Sequence, residues 1–202
     1  MTSHQGAARR QFLAGGIAAA GLAACTQTPP APVFPAITFA HKGPLRLAVE
    51  RIELRTDYVQ PMRRPNIEHE VPVSPVETLR RWGNDRLAAA GDTGRVAVFV
   101  VREASLRETE LKKETGLRAS LTSQQEMRYD LVLAAAIEVR DARNGFVMAG
   151  CDARSTRFRS VAEGIALAER ERAWYALTEQ TMEDLDAELE RQARAHIAPF
   201  LR

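Results

Sequence analysis

Hydrophobic and polar residues alternate along the middle of this chain in the manner of β-strands. In residues 126–140 the odd positions from Met127 to Val139 are apolar, while even positions such as Arg128 and Glu138 are charged. Successive side chains of a strand point to opposite faces, so this pattern predicts a long strand with one buried face. Asn144-Gly145 then predicts a hairpin turn, and residues 146–157 a return strand that carries small residues on one face.

Two earlier segments also have the pattern of strands. Residues 45–54 alternate first on one parity and then on the other, which predicts a single strand with a bulge near Glu50-Arg51. Residues 95–106 contain a continuous apolar run, which predicts a central strand covered on both faces. Residues 112–123 are polar and predict a loop.

Helical periodicity marks two further segments. Ser74, Pro75 and Glu77 supply a cap, a first-turn proline and a capping box, so the first helix is predicted from Ser74 to Gly91. The second is predicted to reach Ile197. Its start is left open between a capping box at 160–163 and a position nearer Ile165, and its apolar stripe comprises Trp174, Leu177, Thr181, Leu185 and Leu189.

These elements predict an α+β fold of order β-α-β-β-β-α, with an antiparallel sheet and two helices packed on one face. Residues 45–202 are expected to form a single domain. The last helix would be about 45–50 Å long. A globular domain of this size spans only about 40 Å. We therefore expect the helix to bend, to break near Gly164 or to protrude.

The first 24 residues have the anatomy of a secretory signal. The basic pair Arg9-Arg10 precedes a short run rich in Ala and Gly, and the small residues Leu22-Ala23-Ala24 lead to Cys25. Spanning a bilayer requires about 20 apolar residues, so this run is too short for a membrane anchor. No later apolar run is long and uncharged enough either.

Leu22-Ala23-Ala24-Cys25 resembles the lipobox of bacterial lipoproteins, Leu-(Ala/Ser)-(Gly/Ala)-Cys. The resemblance implies that the Cys25 thiol receives a diacylglycerol, that residues 1–24 are removed, and that the new amino terminus is acylated. The protein would then contact the membrane only through this lipid.

Arg9, Arg10, Phe12 and Leu13 also resemble a twin-arginine export signal. Ala8 and Ala14 depart from it, so general secretion remains the alternative. Residues 25–44 form a Pro-rich, nearly uncharged tether that we expect to be extended and poorly ordered. Thr26 lacks the Asp that tends to retain such lipoproteins at the inner membrane. The resemblance therefore favours the outer membrane, with the domain facing the periplasm.

Charge and cysteine content narrow the classes of function. The chain has 28 basic and 26 acidic residues, and removal of Arg9 and Arg10 with the signal leaves 26 of each. A mature chain without cationic excess argues against a nucleic-acid partner. Cys25 and Cys151 are its only cysteines, so no internal disulfide is possible once Cys25 is acylated.

No catalytic signature emerges from the sequence, and we expect no enzyme activity, cofactor or metal. Asp92-Thr93-Gly94 matches the aspartic-protease triplet, but that chemistry needs two such carboxylates and only one copy exists. Glu68-His69-Glu70 lacks the three or four converging ligands of a metal site. Cys151 lies in mid-strand, where a buried and inert thiol is normal.

Two charged regions are candidate partner surfaces. Arg63 and Arg64 lie in the long segment 55–73, whose alternative role is a loop packed across the sheet. Glu183, Asp184 and Asp186 belong to an acidic band on the last helix, whose alternative role is an ordinary solvated face.

A lipobox, a Pro-rich tether and this order of elements are together similar to auxiliary lipoproteins of envelope ABC-type lipid-transport systems. The matching parts would be the strand at 45–54, Arg64-Pro65 and Trp82. We therefore expect a non-catalytic, membrane-anchored envelope lipoprotein that binds a protein partner as an adaptor or accessory subunit. The alternative is a periplasmic carrier of lipid or a small ligand, with an apolar pocket between sheet and helices. A hydrolase or metal enzyme is the third and least supported class.

Overall fold

A mixed four-stranded sheet is the centre of the fold. The computed structural model describes residues 32–91, 94–111 and 126–202. The sheet is built from β2 (Arg51–Thr56), β4 (Arg95–Leu111), β5 (Glu126–Asp141) and β6 (Val147–Ala162), in the order β2-β4-β5-β6. β2 runs parallel to β4, whereas β4, β5 and β6 are antiparallel. A small parallel sheet pairs β1 (Leu45–Leu47) with β3 (Leu87–Ala89).

The α+β class is confirmed, but the prediction of a wholly antiparallel sheet is wrong. The order is β-β-α-β-β-β-β-α. The helix between β2 and β4 carries the chain back to the end from which β2 starts. A strand that follows such a crossover runs parallel to the first.

The single bulged strand predicted at 45–54 is in fact two strands in different sheets. Leu47, Ala48 and Val49 are all buried, so the change of parity marks the passage from β1 to β2. The amide of Ala48 donates to the carbonyl oxygen of Phe200, and that of Glu50 donates to the carbonyl oxygen of Arg95. The passage from β1 to β2 is therefore held by hydrogen bonds to two distant parts of the chain.

The hairpin of β5 and β6 follows the prediction. The odd positions of β5 from Met127 to Val139 are buried, and Gly145 takes the positive φ of the turn, 73°. Cys151 and Ala153 face the core as predicted, but Val147 is partly exposed. β6 also extends to Ala162, beyond the predicted end at 157.

The first helix, α1, spans Pro75–Arg86. Its predicted start is confirmed, because the Ser74 Oγ accepts the backbone N–H of Glu77 at 3.4 Å. The predicted end at Gly91 is wrong. Leu87 adopts extended backbone (φ −114°, ψ 131°) and pairs with Leu45, so the chain leaves the helix to form β3.

The second helix, α2, spans Leu167–His196 without interruption. The capping box at 160–163 is wrong, because Ser160 to Ala162 belong to β6 and the N-cap, Ala166, makes no side-chain cap. The predicted stripe from Trp174 to Leu189 is buried. A helix of 30 residues needs no break because it returns along a strand of 16 residues. Both are about 45–50 Å long.

Both helices pack on the same face of the main sheet, as predicted. Trp82 of α1 lies 5.1 Å from Phe99 between ring centroids, and Trp174 of α2 meets Tyr129 edge-on at 5.5 Å. The approach of α1 is close at Gly83, where a Cβ would lie 2.8 Å from Leu54 Cδ2 and 2.9 Å from Phe99 Cδ1.

The packed domain begins before Leu45, so the expectation of a poorly ordered tether up to Pro44 is wrong for its last part. Ile37 and Phe39 belong to the core, with Phe39 only 1% exposed, and Ala40–Lys42 form a short 3-10 helix. Burial of these two side chains fixes the chain against the helices.

Candidate functional site

The residues of the export signal and the lipid site lie outside the described part of the chain. This applies to Arg9, Arg10, Phe12 and Leu13, to Leu22, Ala23 and Ala24, and to Cys25. Their roles stay predictions. Pro32, where the description begins, follows Cys25 by seven residues. Beyond it, Phe34 lies against Tyr175 of α2, with ring centroids 5.4 Å apart.

Asp186 is the centre of a buried ion cluster, not part of a free acidic surface. Its residue is 2% exposed. Its Oδ1 accepts hydrogen bonds from Trp82 Nε1 at 2.8 Å and Arg86 Nε at 2.9 Å, and its Oδ2 accepts one from Lys42 Nζ at 2.9 Å. The prediction that Asp186 belongs to an exposed band is therefore wrong.

The charges around Asp186 set its protonation. Burial alone would raise the pKa of this carboxyl, but hydrogen bonds from Lys42 and Trp82 and the charge of Arg86 outweigh burial and hold the pKa below its usual value. The hydrogen bond to Glu183, together with the nearby Asp186, raises the pKa of the Lys42 ammonium group. Both groups therefore carry their charges at neutral pH.

The cluster also fixes the N-terminal segment. The guanidinium of Arg86 donates to the carbonyl oxygens of Lys42 and Gly43, and Thr38 Oγ1 donates to Asp85 Oδ2 at 2.6 Å. The segment after the predicted lipid site is thus bound to both helices. Two sequence signals could have indicated that Asp186 and Arg86 lie on the buried sides of their helices. Asp186 lies three residues before the stripe residue Leu189, and Arg86 lies one turn after Trp82.

The other carboxylates of the acidic band also have partners within the domain. Glu183 accepts from Lys42 at 2.7 Å, and Asp184 accepts from Arg157 of β6 at 3.0 Å. The hydrogen bond from Arg157 lowers the pKa of the Asp184 carboxyl. Glu188 and Glu190 pair with Arg191 and Arg194 on the same helix. The band is largely neutralised by its own fold.

Arg63 and Arg64 occupy the loop that crosses the end of the sheet. Arg64 forms ion pairs with Glu70, at 3.1 Å, and with the buried carboxylate of Glu108, which also accepts the hydroxyl of Tyr129. The side chain of Arg63 is exposed and has no partner within the described ranges. Of the two predicted arginines, Arg64 is therefore occupied by the fold.

The neighbouring Glu68-His69-Glu70 triplet does not form a metal site. Glu68 is buried and accepts the Tyr58 hydroxyl at 2.6 Å, while His69 Nε2 lies 3.7 Å from Glu70 Oε1. Burial and this hydrogen bond raise the pKa of Tyr58. Across residues 32–91, 94–111 and 126–202, no three His, Cys, Asp or Glu side chains are arranged to hold a metal ion.

Of the remaining catalytic candidates, one is a buried thiol and the other lies mostly outside the described residues. Cys151 is a free, buried thiol, and burial raises its pKa to about 11. A thiol of this kind is a poor nucleophile at neutral pH. Asp92 and Thr93 lie outside the described residues, and Gly94 takes a positive φ of 66°.

The sheet face opposite the helices is covered by charged side chains. Val96, Val98, Val100 and Ala136 form a small buried cluster there. An ion-pair chain lies on the same sheet and comprises Arg55, Asp57, Arg102, Glu138 and Arg140. Arg55 Nε donates to Asp57 at 2.9 Å, and Arg102 donates to Asp57 at 3.0 Å and to Glu138 at 2.6 Å. Arg140 also donates to Glu138. Two open depressions of about 450 and 360 Å³ lie on this face.

Exposed apolar side chains gather at the tip of the β5–β6 hairpin. Phe146 is 71% exposed, Val147 43% and Met148 44%. We call these three residues the hairpin tip. The pattern of the sequence contains a signal for the hairpin tip that was not used above: three apolar residues directly after Asn144-Gly145 cannot all face the core of a strand.

No helix within the described ranges has an apolar run long enough to cross a bilayer. No family model matches the sequence, and no curated protein matches it.

Several solved structures resemble the fold at low identity. A minor lipoprotein from Acinetobacter baumannii is 13% identical, with a TM-score of 0.42 over 74% of this chain and 96% of that one. Rare lipoprotein B from Shewanella oneidensis is 15% identical, with a TM-score of 0.35 over 72% and 96%. An uncharacterized lipoprotein B from Nitrosomonas europaea is 15% identical, with a TM-score of 0.38 over 76% and 89%. These structural neighbours are bacterial lipoproteins. At TM-scores of 0.42 and below, the likenesses carry no argument about function.

Proposed function

We propose that this protein is an exported, non-catalytic lipoprotein of the bacterial envelope that binds another envelope protein as an accessory subunit. The lipid on Cys25 holds it to the membrane, with the outer membrane favoured because Thr26 lacks the retention signal. The domain faces the periplasm. Within the described residues, the carboxylates of the acidic band and of the buried ion cluster are paired with basic side chains of the same domain.

The hairpin tip carries this proposal. Three adjacent apolar side chains at the end of a long hairpin are largely exposed, and none of them belongs to the buried core of the described domain. Apolar residues concentrated at one exposed point mark sites of protein association. The ion-pair chain lies on the outer sheet face and the helices cover the inner one. Other exposed apolar side chains, such as Phe158 and Leu167, are isolated, whereas the tip brings three together in adjacent positions.

The carrier alternative gains less support. It requires an apolar pocket between sheet and helices, and that space is filled by large side chains, among them Trp82, Phe99, Tyr129 and Trp174. The two depressions on the outer face are open, and arginines and carboxylates line both of them beside small apolar residues such as Ala134 and Ala136. An acyl chain needs an enclosed apolar lining.

The lipid anchor is tested first. Cells that express the chain are grown with labelled fatty acid, alongside cells that express Cys25→Ala, and their membranes are fractionated. We expect label in the outer-membrane fraction with the wild type and none with Cys25→Ala. A wild-type chain without label would overturn the anchor and the envelope assignment together.

The export route has its own test. Replacement of Arg9 and Arg10 by two lysines should block export if the twin-arginine route is used, because that route requires both arginines. Unchanged export of the variant would assign the chain to general secretion and leave the rest of the proposal intact.

Binding through the tip is tested by crosslinking in living cells. A photo-crosslinking amino acid replaces Phe146, and a matched control replaces Arg191, whose side chain is 67% exposed on α2. We expect an adduct of one discrete size at position 146 and none at 191. No adduct at position 146, or the same adducts at both positions, would overturn protein binding through the tip.

A further inference from the structure

β6 forms one edge of the main sheet. Its 16 residues pair with β5, and within the described ranges no strand lies on its other side. Its register with β5 is uninterrupted from Ala149 to Ala162. In such a strand, every second residue directs its N–H and C=O groups toward the free edge. β6 therefore presents a long and regular row of backbone donors and acceptors.

β6 carries some of the usual protections of an edge strand and lacks others. Its charged side chains and the neighbouring α2 protect it, whereas short length, lysines, prolines and a bulge within the strand are further devices that proteins use at exposed edges. β6 contains neither Lys nor Pro, and its register shift lies only at its start, opposite Val139 and Arg140. A typical strand has about 5–6 residues, so β6 is also unusually long.

One arginine on this edge has no counter-ion within the described residues. Arg154, Arg157 and Arg159 lie on β6 with a single acid, Asp152. Arg154 pairs with Glu103 of β4 and Arg157 with Asp184 of α2, whereas Arg159 has no ion pair within the described residues. Arg157 and Arg159 lie on the helix side of the sheet. The opposite side carries Phe158, 61% exposed, with the Arg128 guanidinium 4.0 Å from its ring centroid.

A second copy of this chain is a poor occupant for the edge. Antiparallel pairing of β6 with itself would bring the three arginines of each copy together against one aspartate each. Like charges on directly opposed strands destabilise the pairing. A strand that carries a carboxylate would instead place the opposite charge beside Arg159, whose guanidinium has no ion pair within the described residues.

We propose that β6 accepts an extended, acidic segment of a partner protein as an additional strand. Backbone hydrogen bonds hold the segment, a carboxylate of the segment faces Arg159, and its apolar side chains lie beside Phe158. This inference rests on the proposed function, because the partner it describes is the envelope protein bound by the accessory subunit. It adds the site and the chemistry of that partner.

The test uses two labelled eight-residue peptides with the full chain in detergent. One alternates Glu with Val, and the control alternates Lys with Val. Binding is followed by fluorescence anisotropy, and backbone protection by hydrogen exchange. We expect the Glu peptide to bind about tenfold more tightly than the Lys peptide, since the cross-strand pair at Arg159 changes from attraction to repulsion. Amides within residues 152–161 should become protected.

Two matched variants locate the site. Arg159→Glu alters the edge, and Arg81→Glu makes the same charge change on α1, where Arg81 is exposed and has no ion pair within the described residues. We expect Arg159→Glu to weaken binding of the Glu peptide about tenfold and Arg81→Glu to leave it unchanged. Both variants should fold, because neither arginine is buried.

Three results would overturn the inference: no binding, equal loss in both variants, or binding without new protection in β6. A free chain that is already a dimer with its β6 amides protected would assign the edge to a second copy instead. If tip crosslinks persist while the peptide fails to bind, strand addition is wrong and the accessory role survives. Loss of both would remove the proposed function as well.

Discussion

The two faces of the main sheet both bury valines of β4, yet they are covered by different means. On the helix side, Val101 belongs to a core closed by α1 and α2. On the other side, Val98 belongs to a small cluster near Arg51, Arg55 and Arg140, whose side chains line the same depression.

The same contrast holds for the buried charges of each side. Arg86 and Asp186 lie between the helices with side chains 3% exposed, so neither can reach water if the other is lost. Glu138 on the outer face binds Arg102 and Arg140, whose side chains are 45% and 27% exposed. Those arginines can turn into solvent. An ion pair is therefore costly to break only where the charge that remains cannot reach solvent.

The largest expected effect breaks the buried pair. Asp186→Ala should lower the free energy of unfolding by about 3 kcal/mol, because Trp82 Nε1 and Arg86 Nε lose their buried acceptor and only Glu190 still pairs with Arg86. Glu138→Ala, the matched change on the outer face, should cost about 1 kcal/mol. Denaturant titration of both variants measures the difference. Equal losses would contradict the contrast between trapped and free partners.

A smaller effect is expected from the two valines. Val101→Ala should lower the free energy of unfolding by about 2 kcal/mol, since the packed helices cannot close the cavity. Val98→Ala should cost about 1 kcal/mol, because the arginines above it are free to settle into the space. A larger loss for Val98→Ala would mean that the outer cover is as rigid as the helices.

Acid should weaken the helix side through Asp186. Its pKa is lower in the folded state than its ordinary value, so its contribution to stability is fully present above about pH 4 and is lost as the pH falls through the folded pKa. Asp186→Asn removes this proton uptake. The free energy of unfolding of Asp186→Asn should therefore fall less steeply than that of the wild type between about pH 5 and 2. Parallel slopes would exclude Asp186 as a source of acid sensitivity.

The last prediction concerns the reactivity of a buried thiol and not the free energy of unfolding. The Cys151 thiol has its pKa raised to about 11 by burial, so iodoacetamide should modify it very slowly in the native protein at pH 8. Met148→Cys places a thiol on the exposed hairpin tip and should react at least about 100-fold faster. Mass spectrometry follows both sites in the same chain. Comparable rates would show that the inner face opens readily.

The sequence predicted the local elements where one physical signal dominated. Strict alternation located β5, and the capping group of Ser74 and Glu77 located the start of α1. The prediction from sequence was wrong where one pattern is compatible with two different structures. The parity change near Val49 fitted a bulge as well as a passage between sheets, and Ser160 fitted a cap as well as the end of a strand.

The candidate surfaces were harder to predict because charge in a sequence carries no information on distance. Asp186 and Arg64 belong to charged stretches typical of solvated surfaces, yet both bind groups distant in the chain. The hairpin tip was missed for the opposite reason. Phe146 and Met148 have the character of core residues, but Phe146 follows the turn directly and Met148 lies at the register shift of β6, and both are exposed.

By itself, the sequence determined the α+β class, the buried face of β5, the helical stripe from Trp174 to Leu189 and the prediction of an acylated Cys25. These follow from periodicity and short motifs, which act between neighbours in the chain. Only the tertiary structure decided that β2 is parallel to β4, that Asp186 is buried against Arg86, and that β6 is left as an edge. Such features depend on which distant segments meet, and burial and charge pairing acquire their energies only after that meeting.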